Sequence, residues 1–170
     1  MTQQPIEEPV ARAQMLIRSP AAEVFQAFVD PAVTTRFWFS RGGGRLEVGA
    51  CVRWEWEMYG ASTQVEVREI EEDRRILVDW DLTSPTAVEW TFEPRGDGAT
   101  FVVVRNWGFQ GKPDEAVALA LDSAAGFAFV LAGCKAWLEH GIELRLIEDH
   151  APEAVIAGWR ERRTSGGADG

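Results

Sequence analysis

The chain of 170 residues contains few of the residues that metal and catalytic sites use. Cys51 and Cys134 are its only cysteines, and their separation fits neither a zinc site nor a redox motif. His140 and His150, its only histidines, lie among charged residues and have no second ligand at metal spacing. Neither a Gly-x-Ser-x-Gly motif nor a phosphate-binding loop occurs. We therefore expect no metal, no cofactor and no catalytic residue, and we expect both cysteines to stay reduced in the cytoplasm.

Positive charge is also scarce. The chain has 17 Lys and Arg against 27 Asp and Glu, a formal net charge of -10, which repels a nucleic-acid backbone and an anionic membrane surface. No uninterrupted apolar run approaches the roughly 20 residues of a membrane-spanning helix. Residues 1–14 lack the basic start and the apolar stretch of a signal peptide. The sequence predicts a soluble cytoplasmic protein that binds neither nucleic acid nor membrane.

Tryptophan, by contrast, is abundant, and five of the eight tryptophans lie in segments where apolar and polar residues alternate. Successive residues of a strand point to opposite faces of a sheet, so Trp54, Trp56 and Met58 project together. The same alternation places Trp80 and Trp90 on the inner face. The predicted inner sets are Val52, Trp54, Trp56 and Met58; Val65 and Val67; Ile76, Val78, Trp80 and Leu82; Val88, Trp90 and Phe92; and Val102, Val104 and Asn106.

The period of the pattern divides the chain into elements. Residues 10–17 are predicted to form a strand, after which Ser19 and Pro20 are typical of a helix start. Strands then alternate with turns, and one amphipathic helix carries a stripe that includes Phe127 and Leu131. The predicted ranges are 21–29 and 31–37 for two short helices; 45–48, 51–59, 62–71, 75–82, 86–94 and 99–107 for strands; and 113–147 for the long helix.

The ends of the chain are predicted to be extensions of a domain that spans residues 10–147. Residues 1–9 form the first extension, and residues 148–170 form the second. A short helix is predicted between Pro152 and Trp159. Residues 161–170 have the composition of a disordered tail.

The long helix is predicted to cover the inner face of the sheet, with a gap beneath it. It alternates small residues with large apolar ones, and bulky rings that face small residues leave space for a ligand. Each inner tryptophan either fills the core or lines that space. Asn106 is the clearest inner polar side chain, and its amide either bonds a backbone group or points at a ligand. Trp38 either gates the opening or clamps the short helices at the surface.

Acidic residues alternate with arginines on the outer face of the predicted sheet. Glu55, Asp79, Asp81 and Glu89 all fall on this face, which predicts cross-strand ion pairs on a wet surface.

The last strand is apolar on its outer face as well. Phe101, Val103 and Trp107 alternate there, and a row of this size rarely stays exposed in a soluble monomer. We expect it to be covered by a second copy of the chain, by the C-terminal segment around Ile156 and Trp159, or by a partner protein.

A series of short motifs carries a family resemblance. They are, in order, Ile17-Arg18-Ser19-Pro20-Ala21-Ala22-Glu23-Val24-Phe25, Asp30-Pro31 before Phe37-Trp38, Val48-Gly49-Ala50, Asn106-Trp107-Gly108-Phe109, and the segment LAGCKAWLEHG at 131–141. Together they resemble the START/Bet v 1-like (SRPBCC) superfamily, and within it the bacterial relatives of the C-terminal domain of the activator of Hsp90 ATPase. Asn106 stands where these relatives often have a histidine, which weakens an acid-base role at this position.

The resemblance implies an α+β helix-grip fold. In this fold a curved antiparallel sheet of about seven strands wraps a long C-terminal helix, and two short helices follow the first strand. It also implies a cavity between sheet and helix. The expected ligand-binding residues are Trp38, Trp54, Trp56, Met58, Trp80, Trp90, Asn106, Phe127 and Leu131.

Three functions are compatible with this scaffold. The leading hypothesis is non-enzymatic binding of a hydrophobic small molecule in the cavity. The alternative is a protein-interaction module that acts as a co-factor of a chaperone ATPase of the Hsp90 type, with the acidic surface and the row of Phe101 and Trp107 as its contact. A polyketide-cyclase-like enzyme is disfavoured, because no convergent acid and base can be named.

Overall fold

The computed structural model describes residues 7–159 and 162, and within them the chain has the α+β helix-grip architecture that the sequence predicts. Seven strands form one curved antiparallel sheet. Their bounds are β1 Ala11–Ile17, β2 Arg41–Gly42, β3 Cys51–Trp56, β4 Ala61–Glu71, β5 Arg75–Trp80, β6 Thr86–Arg95 and β7 Ala99–Trp107. Their order in the sheet is β1-β7-β6-β5-β4-β3-β2, so the first strand pairs with the last.

Four α-helices accompany the sheet in the described residues. Their bounds are α1 Ala21–Val29, α2 Pro31–Thr34, α3 Pro113–His140 and α4 Leu146–Asp149, with short 3-10 helices at Glu57–Tyr59 and Pro152–Ala154. The long helix α3 packs mainly against β1 and also against β7. It ends at His140; the next residue, Gly141, adopts a left-handed φ of 65° and donates its N–H to the carbonyl of Trp137. The predicted helix over 113–147 therefore stops seven residues early.

The inner sets of the sheet are confirmed with two exceptions. Trp54, Trp90 and their apolar neighbours on the same face are buried. Leu82 is 38% exposed, because β5 ends at Trp80 and Asp81 turns the chain with a φ of 58°. Met58 is buried, but it lies in a 3-10 helix because β3 ends at Trp56. Both errors come from extending the two-residue period past the end of a strand.

The glycine run after the short helices is part of the sheet edge. No strand forms at 45–48; instead Arg41 and Gly42 pair with β3, and the N–H of Gly43 donates to the carbonyl of Arg53 at 2.8 Å. A Cβ at position 42 would lie 2.8 Å from the Cβ of Pro31. Glycine here permits a close approach between α2 and the edge strand, rather than a free turn.

The first helix starts differently from the prediction. Pro20 occupies the N-cap, and the hydroxyl of Ser19 donates to the carboxylate of Glu23 at 2.7 Å instead of capping the helix. The second helix is capped as its sequence indicates, because the Asp30 carboxylate accepts from the N–H of Ala32. Its range is shorter than predicted and ends at Thr34.

The outer face of the sheet carries ion pairs between neighbouring strands. Arg68 pairs with Asp79, and Arg75 bonds Glu89 at 2.7 Å. The predicted wet surface is therefore present. Asp81 is not part of it, since the turn after β5 takes this residue out of the alternation.

The apolar row on the outer face of β7 is half-buried within the chain itself. The guanidinium of Arg95 lies 5.1 Å from the centre of the Phe101 ring, and that of Arg105 lies 5.6 Å from the Trp107 ring. The C-terminal segment does not cover this row: Ile156 donates its N–H to the carbonyl of Met58, beside β3 at the other side of the sheet. That alternative is wrong, because the chain turns back towards β3 after α3.

The C-terminal segment contains a 3-10 helix at Pro152–Ala154 where a longer helix to Trp159 is predicted. The predicted disordered tail, residues 161–170, lies outside the described residues except for Arg162.

By length and composition alone, α3 could cross a membrane. The core helix of a soluble protein passes the same test. Seven residues of α3 are buried and the helix packs on β1 and β7, so it is the core helix of this fold.

Candidate ligand-binding site

A cavity of about 650 Å³ lies between one end of the sheet and the first half of α3. On the sheet side it is lined where β3 ends, β4 begins, β5 ends, β6 begins and β7 ends. These positions meet because neighbouring strands run in opposite directions. The residues are Trp56, Ala61, Trp80, Thr86 and Asn106, and the loops that follow add Asp81, Ser84, Phe109 and Gln110.

The helix side of the cavity consists of Leu119, Ser123, Gly126, Phe127 and Val130. These residues recur at spacings of three and four, so they lie on one face of α3. A Cβ placed on Gly126 would have no atom within 4 Å. The gap under the helix therefore exists where its residues are small.

The third wall comes from the segment after α3. The hydroxyl of Tyr59 donates to the carbonyl of Ile147, and Nδ1 of His150 lies 2.7 Å from the same oxygen. A carbonyl only accepts, so Nδ1 carries the hydrogen and Nε2 of a neutral imidazole is the acceptor. The His150 ring packs on Phe129 with 5.1 Å between ring centres. Burial, with the charges of Glu148 and Asp149, raises the pKa of Tyr59, which keeps the phenol protonated.

The floor of the cavity is a cluster of aromatic rings around Trp38. The centre of this ring lies 5.6 Å from that of Trp80, 6.2 Å from that of Trp56 and 5.7 Å from that of Phe127. Trp38 also contacts Trp54 at 4.9 Å. It is 7% exposed and occupies the middle of the cluster. It therefore neither gates an opening nor clamps the short helices at the surface, the two positions that the sequence left open.

The structure brings together five of the nine predicted site residues. Trp38, Trp56, Trp80, Asn106 and Phe127 line the cavity. Trp54, Trp90 and Leu131 are at most 1% exposed and belong to the core beneath it. Met58 lines a smaller cavity of about 260 Å³ on the other side of Trp38. Position along a strand decides whether a residue of the sheet lines the cavity. Residues near the strand ends reach the space beneath the small residues of α3, and residues farther along the strands are buried in the core.

Asn106 is fixed by bonds within the protein. Its amide nitrogen donates to the carbonyl of Ala87 at 2.9 Å, and its amide oxygen accepts from the hydroxyl of Ser123 at 2.7 Å. Of the two alternatives for this side chain, the backbone bond is therefore present, and the residue also lines the cavity. The Asn106–Ser123 pair connects β7 to α3 and leaves one amide hydrogen and the serine lone pairs for other partners.

Thirteen residues that line the cavity were not among the predicted site residues; they include Tyr59, Asp81, Ser123, Gly126 and His150. The small residues of the helix were a usable signal for Ser123 and Gly126. Asp81 was assigned to the wet outer face, and the turn after β5 overturns that assignment. His150 is exposed as expected for a surface histidine, yet it stands at the cavity wall.

Asp81 is the acidic group of the cavity. Its Oδ1 accepts from the hydroxyl of Thr83 at 2.6 Å and from the N–H of Thr83 at 3.2 Å. These hydrogen bonds hold the pKa of Asp81 below its usual range, so the side chain is a carboxylate at neutral pH. In the part of the chain that the structure describes, no group of three His, Cys, Asp or Glu side chains is placed to hold a metal ion.

The sequence and the fold identify the family. Residues 18–139 match the family model described as "Activator of Hsp90 ATPase homolog 1-like protein". The chain belongs to this family. The resemblance drawn from the motifs is thereby confirmed. The match ends at residue 139, so Tyr59 lies inside it while Ile147 and His150 lie beyond it.

Solved structures of the same fold include three of interest. SSP2350 from Staphylococcus saprophyticus is 26% identical, with a TM-score of 0.68 over 80% of this chain and 96% of that one. DynU16, from the dynemicin biosynthetic locus, is 23% identical with a TM-score of 0.67; the match covers 79% of this chain and 48% of DynU16. The Aha1 dimer from Colwellia psychrerythraea is 16% identical with a TM-score of 0.67, over 78% and 98% of the two chains. A comparison with curated proteins gives no significant match.

Proposed function

We propose that this protein binds a hydrophobic small molecule in the 650 Å³ cavity and performs no chemistry on it. The observation that carries the proposal is the open space beside an aromatic floor. Ligand sites are concave, mostly apolar and about 300–1,000 Å³ in volume, and they contain a few polar groups that orient the ligand. This cavity has that size, four contacting rings, and Asn106 and Ser123 at its wall.

The partly exposed aromatic rings at the cavity wall are better explained by ligand binding than by core packing. Protein interiors are close-packed, and a void beside large apolar side chains forfeits the contacts those side chains would make. Trp56 and Trp80 are only partly buried at the cavity wall, while Trp54 and Trp90 beneath them are fully buried. A ligand in the cavity would remove the exposed faces of the first pair from water.

The titratable groups of the cavity support binding without catalysis. The Tyr59 hydroxyl and the His150 Nδ1 are both committed to the carbonyl of Ile147. Thr83 holds one oxygen of the Asp81 carboxylate. General acid-base catalysis needs a proton donor and an acceptor that converge on one substrate atom. Because these groups are bound to other protein atoms rather than aimed at a common substrate atom, a cyclase-like activity is the weaker proposal.

A titration with N-phenyl-1-naphthylamine, a neutral fluorescent probe, tests the binding proposal. Bound probe should accept excitation energy from Trp38, Trp56 and Trp80, so tryptophan emission should fall as probe emission rises. Gly126→Phe should weaken binding at least tenfold, because its ring would occupy the cavity. Ala128→Phe is the matched control, since this position is exposed on the same helix. Absence of probe binding to the folded protein, or equal binding by both variants, would refute the proposal.

A second candidate function is a contact with a chaperone ATPase of the Hsp90 type. The family membership and the half-buried outer row of Phe101, Val103 and Trp107 favour it. The same row is a candidate interface for a homodimer, and a solved structure of the fold is described as a dimer. Stimulation of the ATPase rate of a bacterial Hsp90-type chaperone, lost in Trp107→Ala, would support the candidate. Light scattering of the same variant tests the dimer.

We propose that the protein binds its ligand in the cytoplasm. We also propose residues 10–147 as the binding domain and residues 1–9 and 148–170 as extensions, of which the second contributes His150 to the cavity wall.

A further inference from the structure

The charges of the cavity and of the whole chain favour a ligand with a positive charge. Among its described lining residues there is one carboxylate, Asp81, and there is no Lys or Arg. The chain as a whole has a formal net charge of -10. An anion placed in this cavity loses its hydration without gaining a Lys or Arg partner. A fatty-acid carboxylate or a sulfonate therefore fits this cavity badly.

The aromatic floor adds a second, independent preference for positive charge. The face of an indole or benzene ring carries negative potential, and a cation within about 6 Å of the ring centre is attracted to it, most strongly by Trp. Trp38, Trp56, Trp80 and Phe127 line the cavity and contact one another, and Tyr59 adds a fifth ring. Sites built from several rings are typical of those that bind quaternary ammonium groups.

Asp81 differs from the carboxylates of the sheet that make ion pairs with arginine. Glu55, Asp79 and Glu89 pair with arginines on the outer face. Asp81 makes no ion pair among the described residues, and Thr83 fixes its orientation through Oδ1. Its backbone is held at a φ of 58°, a left-handed conformation that is uncommon outside glycine and that is often found at functional sites.

We propose that the ligand is an organic cation, an aromatic or alkyl ammonium compound, whose nitrogen is held by the aromatic floor and by the carboxylate of Asp81. This inference rests on the proposed binding function and specifies its ligand class. The apolar part of the cation fills the space under Gly126, where the helix leaves room for it.

Three naphthyl probes of similar shape test the inference. They are (2-naphthylmethyl)trimethylammonium, its neutral isostere 2-neopentylnaphthalene, and the anion 2-naphthoate. Dissociation constants are measured by tryptophan quenching at high salt, where long-range attraction by the net charge is screened. The cation should bind at least tenfold more tightly than the neutral isostere, and the anion should bind most weakly.

A matched pair of variants locates the effect. Asp81→Asn should bring the ratio of cation to neutral affinity to about one third of its original value or lower. Asparagine tolerates the left-handed conformation, so the turn after β5 should persist. Asp73→Asn is the control: Asp73 also has a positive φ, of 60°, and its substitution removes the same charge at a turn that does not line the cavity. It should leave the ratio unchanged.

The outcomes separate the two proposals. Equal binding of the cationic and neutral probes, or an unchanged ratio in Asp81→Asn, would overturn the cation inference and leave the binding function intact. Failure of all three probes to bind would overturn the binding function and the inference with it.

Discussion

Two glycines on α3 meet opposite surroundings, although they are seven residues apart and lie on the same face of the helix. A Cβ on Gly126 would have open space around it, whereas a Cβ on Gly133 would lie 3.0 Å from the Cβ of Phe37 and 3.3 Å from its carbonyl oxygen. The first glycine lines the cavity, and the second lies in the packed half of the helix beside Leu131 and Cys134, which are both 0% exposed.

This difference shows how one helix can serve both as a core element and as the wall of a binding site. In the packed half, glycine brings the helix close to the segment after α2. In the open half, glycine leaves a void, because the facing residues belong to strand ends and loops that diverge from the helix. Glycine therefore permits a close contact with the neighbouring segment at position 133 and leaves open space at position 126.

The largest effect that would test this comparison is expected for Gly133→Leu. Overpacking of a close-packed site costs up to about 3 kcal/mol. The better helix propensity of leucine returns roughly 1 kcal/mol. The free energy of unfolding, measured with urea, should therefore fall by up to about 2 kcal/mol. Gly126→Leu is the matched control and should lose no stability; similar losses at both positions would show that the two halves of the helix are packed alike.

A smaller effect, of opposite sign, is expected for Gly126→Ala. Alanine in place of a helical glycine stabilises by about 1 kcal/mol when its methyl group meets no obstacle. The midpoint of urea unfolding should rise accordingly. Ala128→Gly, on the exposed side of the helix, should lower stability by a similar amount. If Gly126→Ala is destabilising, the cavity wall at this position is closed, and the comparison fails.

The smallest predicted effect is a pH dependence of the free energy of unfolding, caused by Cys134 in the packed half of α3. Burial raises the pKa of the Cys134 thiol, so this group stays protonated in the folded chain and ionises in the unfolded chain. Its contribution to stability is complete below the unfolded thiol pKa and is lost as pH rises above it. Between pH 7 and pH 9 the loss should be about 0.8 kcal/mol, given an unfolded thiol pKa near 8.5. The loss should disappear in Cys134→Ala.

Cys51 provides the control for that measurement. It is exposed, and Cys51→Ala should keep the pH dependence of the parent. In the native protein a thiol reagent should modify Cys51 quickly and Cys134 only after unfolding. Rapid modification of both thiols would show that the second half of α3 is less tightly packed than the structure indicates.

Local patterns predicted most of the strands and the long helix, and the family resemblance predicted the helix-grip arrangement. The alternation through Val52 and Trp54 and the stripe from Phe127 to Cys134 each report which face of an element meets the core. They failed at Leu82 and Met58, where a strand ends and the alternation no longer applies. The turn that follows a strand decides where the strand ends. At Asp81 a residue other than glycine adopts the left-handed conformation, and no sequence pattern predicts this.

The candidate site was predictable only in part. Trp56 and Trp80 were recognisable as large rings on the inner face of the sheet, and Phe127 was recognisable in the apolar stripe of the helix. Trp38 was among the expected ligand-binding residues, but its position as a gate or a surface clamp was left open. Which rings would meet a void and which would be buried depends on their distance from the strand ends, so Trp54 and Trp90 were indistinguishable from them in the sequence.

The sequence by itself determined the antiparallel sheet, the covering helix and the aromatic inner face, because each follows from the spacing of apolar residues along the chain. Only the tertiary structure decided that His150 meets Tyr59 at the carbonyl of Ile147 and that Asp81 reaches the cavity. These contacts join segments far apart in sequence, and they depend on where the chain turns after Trp80 and after Gly141. Where the chain turns at a single residue depends on small differences in local conformational energy. The packing of the whole molecule decides between these alternatives.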